Sequence, residues 1–105
     1  MILRSRFHAG ERLYLLIHNI FGKYAEDKQA AIRYRDNKLI PALNDGRSVL
    51  IDFENVLSSP HSFLSALLAT PVQTLEMAAY KRIKIINASA EIRETIDLIF
   101  DKETT

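Results

Sequence analysis

Residues 47–69, RSVLIDFENVLSSPHSFLSALLA, hold the stretch on which the fold turns. Val49, Leu50 and Ile51 are consecutive bulky apolar residues, followed by Asp52 and Phe53. A short continuous apolar run bounded by turn residues reads as a β-strand, here Val49 to Phe53, buried on both faces. Asn55 and the serines then break the run, and Phe63, Leu64, Leu67 and Leu68 resume it at helical spacing. Strand, turn and helix follow one another within 23 residues, the opening half of a crossover unit.

RIKIIN at 82–87 reads as a second strand. Two helical stretches lie between the strands, SSPHSFLSALLA and TPVQTLEMAAY, each opened by Ser or Thr before Pro. That pair is an N-cap followed by proline at the first helical position. After the second strand, ASAEIRETIDLIF carries Ile92, Ile96 and Ile99 on one helical face, with Glu91 and Glu94 towards its positive end.

Upstream, ERLYLLIHNIFGKY places Leu13, Leu16, Ile17 and Ile20 at helical spacing, with Gly22 as the stop. A further helix is expected from Asp27 to Leu43, kinked or broken at Pro41, and NDG at 44–46 is a turn. MILRSR at 1–6 suits an edge strand. Strands alternating with helices imply parallel pairing and an α/β layer of strands covered by helices. The 105 residues read as one domain, 1–105.

Composition narrows function. The chain has no cysteine, which removes disulfides, thiol catalysis and thiolate metal sites and suits a cytoplasmic setting. The apolar run LYLLIHNIF is too short to span a bilayer. With a net charge of +1 there is no general electrostatic case for nucleic acid. Residues 1–47 hold nine Lys or Arg against five Asp or Glu, and residues 48–105 hold five against eight. His8, His18 and His61 share no ligand spacing, so no metal is expected, and no glycine array cradles a phosphate or nucleotide cofactor.

The chemistry-bearing cluster is Ser58, Ser59, His61 and Ser62. Ser59 before Pro60 is the expected N-cap, which puts Ser62 at the third helical position, where the helix dipole favours an added phosphate. Ser62 and His61 are adjacent in sequence, a poor arrangement for a nucleophile and its base. A helix start with packing, a regulatory contact surface and a hydrolase site all remain open. Asp52, at the carboxyl end of a central strand, is placed like a phospho-accepting aspartate, but the companion acids and lysine are not recognisable. It reads more simply as a turn-capping carboxylate.

Residues 47–69 also resemble the centre of a STAS domain, the family of anti-sigma-factor antagonists and sulfate-transporter cytoplasmic domains. The resemblance is closest to a STAS-like family of unassigned function, through Asp52, Phe53, Val56, Ser62, Phe63 and Leu64. It is clearest over residues 33–100. It implies a non-enzymatic regulatory module that docks a signalling partner through the turn and helix at 56–68. A histidine-kinase-like ATPase or an anti-sigma factor is the implied partner, and Ser62 stands at the family's phospho-acceptor position. Two departures stand out: Pro60-His61 occupies the place of an Asp-Ser pair, and Phe63, where the antagonists have glycine, puts bulk where a kinase must approach. The alternative is a ligand-sensing or oligomerising module that binds an anion or another copy of the chain at the same helix start.

Overall fold

Alternation of buried and exposed residues defines the sheet in the computed structural model, which describes residues 11–105. β1 is Arg12–Leu16, β2 is Ser48–Asp52 and β3 is Ile83–Ile86, in the order β1-β2-β3. All pairs are parallel, with Arg12 opposite Ser48, Leu16 opposite Asp52, and Val49 opposite Ile83. The expected neighbouring parallel strands are therefore present, covered by helices. The edge strand expected over residues 1–6 lies outside the described residues.

β1 corrects the helix expected over ERLYLLIHNIFGKY. Leu15 and Ile17 are buried, whereas Leu16 and Ile20, assigned to the buried stripe of that helix, are 42% and 49% exposed. Only a single turn, α1 (Ile17–Phe21), is helical, and it closes at Gly22, whose φ of 84° favours glycine. His18 lies exposed on this turn.

From Asp27, whose side chain accepts from the Ala30 amide at 3.1 Å, α2 (Lys28–Tyr34) begins. It runs through a π-helical turn, Arg35–Leu39, into α3 (Ile40–Asn44). Pro41 does not break the helix. The Ile40 amide reaches back five residues to the Arg35 carbonyl, and this widened turn stands directly before the proline, which has no amide hydrogen to give.

The second crossover contains α4 (His61–Leu75), a short 3₁₀ turn (Glu76–Ala78) and α5 (Ala79–Arg82). No second helix starts at Thr70. Pro71 lies inside α4 and is buried like Leu67, Leu68 and Val72, so the apolar stripe runs straight through the Thr-Pro signal. The chain turns instead at Glu76, whose φ is 56°. Met77, just beyond this turn, is 67% exposed. Arg82 donates to the Leu43 carbonyl at 2.9 Å and the Arg47 carbonyl at 2.7 Å, joining the end of α3 to the start of β3. α6 (Ala90–Glu103) is capped by Ser89, and its Ile92, Ile96 and Ile99 are buried as their spacing predicts.

α4 packs against both α2 and α6. Phe63, Leu64, Leu67, Leu68 and Val72 meet Leu15, Val49 and Ile51 in one core. Right-handed crossovers in a sheet that grows in one direction all pass over the same face. The other face of this sheet carries Tyr14, Leu16, Leu50 and Ile86. Tyr14 is 62% exposed and Leu50 is only half-buried. β2 is thus fully buried on one face, not on both.

Candidate functional site

The strands are parallel, so the loops leaving their carboxyl ends gather at one end of the molecule, the usual place for function in such sheets. Asp52 closes β2 there. Its Oδ1 accepts from the Glu54 amide at 2.9 Å and from the Asn87 side-chain nitrogen at 3.0 Å. The Phe53 amide donates to the Ile86 carbonyl at 3.0 Å. Asn55 and Asn87 take left-handed backbone angles, φ 69° and 59°, which asparagine tolerates better than most residues.

The loop then crosses to the segment after α1. Leu57 and Ser58 donate their amides to the Lys23 carbonyl at 2.7 and 3.4 Å, and the Ser59 hydroxyl donates to the Ala25 carbonyl at 2.7 Å. Ser59 is therefore an anchor and not the N-cap. Pro60 occupies the cap position in extended conformation, with ψ 159°, and no side chain caps the helix. The Phe63 and Leu64 amides both reach the Pro60 carbonyl, at 3.1 and 3.2 Å. His61 opens the helix, so Ser62 is its second residue and not its third.

Exposure separates the cluster. Ser58, His61 and Ser62 are exposed, and Ser59 is half-buried. Phe63 is fully buried, edge to face with Phe21 at 4.9 Å. Its bulk points into the core, so it does not crowd the approach to Ser62. Phe63, Leu64, Leu67 and Leu68 are all inaccessible, so the exposed side chains within 56–68 belong to the loop and the first helical turn, with Ser65 and Ala66 half-buried beyond it.

Asp52 stands apart from the serines. It lines a cavity of about 110 Å³ with Leu16, His18, Asn19, Glu54 and Asn55. Ser58, Ser59 and His61 line another of about 360 Å³ with Pro60, Glu26, Glu91, Ile92 and Thr95. Ser62 lines neither. Among the described residues no group of three His, Asp or Glu side chains is gathered to hold a metal. Away from the loops, burial pushes the Tyr34 phenol up from its usual range, opposed by the nearby Arg47 guanidinium.

Sequence reasoning overlooked Asn87 and Glu26, and read Glu91 only as a helix-dipole residue. Only Asn87 had a local signal, an asparagine directly after a strand. The two glutamates arrive at the serine loop from other elements, and no spacing along the chain announces them.

A family model described as a STAS-like domain of unknown function matches residues 30–93. The chain belongs to this STAS-like family. The match runs from α2 through β2, the serine loop, α4 and β3 into the first turn of α6. The STAS-like core thus contains every candidate site residue: Asp52, Ser58, Ser59, His61 and Ser62. No curated protein and no solved structure matches the chain. Among the described residues no helix is long and apolar enough to cross a membrane.

Proposed function

We propose that this STAS-like chain is a non-enzymatic regulatory module that docks a signalling protein through the loop after β2 and the first turn of α4. One observation carries the reading. The segment is pinned from beneath by Ser59, the Lys23 carbonyl and Phe63, while Ser58, His61 and Ser62 face outward on a helix start that no side chain caps. A pinned backbone with outward side chains offers a partner a surface that loses little entropy on binding. A phosphate on Ser62 would add nearly two negative charges beside the first-turn amides, where the helix dipole stabilises them without disturbing the core.

The STAS-like resemblance suggests a histidine-kinase-like ATPase or an anti-sigma factor as partner. Affinity capture from the native host with the wild-type chain, compared with Ser62→Asp, tests the reading. A signalling protein retained by one form and lost by the other supports it. Retention of the same proteins by both contradicts it.

His61 and Ser62 are neighbours on one turn, and among the described residues no side chain hydrogen-bonds to His61 to orient it. A hydrolase needs that orientation. The uncapped helix start also suits a second reading, an anion or another copy of the chain bound there. Glu26 and Glu91 beside the adjoining cavity repel a free anion, which counts against the anion half of that reading.

A further inference from the structure

The sheet face left bare by the crossovers has a composition of its own. Its central row is Tyr14, Leu50 and Lys84, in register across the three strands. Leu16, Asp52 and Ile86 form the row at the carboxyl end, and Arg12 begins β1 at the other. Tyr14, Leu16 and Ile86 are 62%, 42% and 38% exposed, apolar area that a sheet of this kind usually buries, with half-buried Leu50 between Tyr14 and Ile86. Arg12, at the amino-terminal end of the face, and Lys84, in its central row, are exposed, and among the described residues neither forms an ion pair. The one carboxylate, Asp52, sits at the far end with Oδ1 already accepting two hydrogen bonds.

Size and charge select the occupant. Strands lie ~4.8 Å apart and rise ~3.3 Å per residue, so the face measures roughly 15 by 17 Å. That is about 250 Å², well short of the ~800 Å² each partner contributes to a standard interface, so a second copy packed on this face alone does not make a stable dimer. The footprint matches one α-helix, ~10 Å wide and ~17 Å long over about 11 residues. Residues 1–10 are a poor match in charge, because they carry Arg4 and Arg6 and no carboxylate, against Arg12 and Lys84.

We propose that this face is the docking surface for a single amphipathic helix of a partner protein, with an apolar stripe over Tyr14, Leu50 and Ile86 and acidic residues towards Arg12 and Lys84. Helices cover the opposite face of the sheet in the same way, and here the covering helix comes from outside the chain. The surface meets the serine loop only at Asp52, so the chain would engage two elements of a partner or two partners at once.

The test is amide chemical-shift mapping of the full chain with a stapled synthetic peptide of about 14 residues, long enough to cover the face at ~1.5 Å per residue. One peptide has a leucine stripe flanked by glutamates, and its control has lysine in place of each glutamate. The glutamate peptide should shift Tyr14, Leu50, Lys84 and Ile86 at concentrations up to about 1 mM, the weak end of specific binding. Tyr14→Ala should weaken it about tenfold, as loss of an aromatic anchor does. Lys84→Glu should weaken it about threefold or more and improve the lysine peptide. Both residues are exposed, so both variants keep the fold. Equal binding of the two peptides, shifts confined to other surfaces, or no shifts at all would overturn the proposal. So would contacts from residues 1–10 to Tyr14 in the free chain, or concentration-dependent shifts of this face without peptide.

Discussion

Asn87 donates its side-chain amide to Asp52 across 3.0 Å, joining the loop that leaves β3 to the end of β2. The same Asp52 oxygen holds the Glu54 amide, so one carboxylate shapes the start of the serine loop and fixes it to the neighbouring strand. Asn87 contributes twice, through this bond and through its tolerance of a φ of 59°. The two contributions separate experimentally. Asn87→Gly keeps the backbone angle and should cost about 1 kcal/mol for the lost hydrogen bond. Asn87→Ala should cost a further ~1 kcal/mol, because a β-carbon disfavours the left-handed region. Urea unfolding measures both, and equal costs would mean that the backbone angle relaxes.

The serines of the loop divide into an anchor and an exposed pair. Ser59→Ala removes the bond to Ala25 and should cost about 1 kcal/mol. Ser62→Ala should stay within about 0.5 kcal/mol of wild type, as surface substitutions usually do. Thermal melts of the two variants should therefore differ, and coincident melts would show that the Ser59 bond carries no weight.

The bare sheet face predicts an asymmetry within β2. Ile51 is fully buried and Leu50 is half-exposed. Ile51→Ala should cost about 2–5 kcal/mol, and Leu50→Ala clearly less because water already reaches that side of the strand. Comparable losses in equilibrium unfolding would mean that the second face is covered after all.

Tyr34 gives the fold an alkaline limit. Burial raises its pKa above the ordinary phenol value, so the neutral form is favoured in the folded state. Its contribution is fully present below the unfolded pKa near 10 and is lost as pH rises through the raised folded value. Stability measured against pH should fall above about 10, and the fall should be shallower in Tyr34→Phe. An identical pH profile in the variant would contradict this.

The sequence was most readable where pattern and burial coincide. Val49 and Ile51, and Ile92, Ile96 and Ile99, occupy the buried positions that their spacing predicts. β1 was misread because its outer face is apolar: Tyr14 and Leu16 hide the alternation that would mark a half-buried strand. The Thr70-Pro71 signal misled because the packing of Leu67, Leu68, Pro71 and Val72 outweighs the missing amide within α4. At the loop, the types of Ser58, Ser59, His61 and Ser62 were visible, but their division was not. The carbonyl of Ala25, 34 residues away, decides which serine is held. Asp52 and the serines are close in sequence yet face different cavities, because the loop between them crosses to Lys23.

If the exposed first turn of α4 is the switchable contact proposed above, the partner affinity of Ser62→Asp reveals it. An acidic residue in this turn agrees with the helix dipole, so the melting temperature should hold or rise slightly, by the equivalent of about 0.3–1 kcal/mol. Binding to the captured signalling partner, measured by titration calorimetry, should change by about tenfold or more, roughly 1.4 kcal/mol. Unchanged affinity in both Ser62→Asp and Ser62→Ala would contradict the account and leave SSPHSFLSALL as the start of a helix and nothing more.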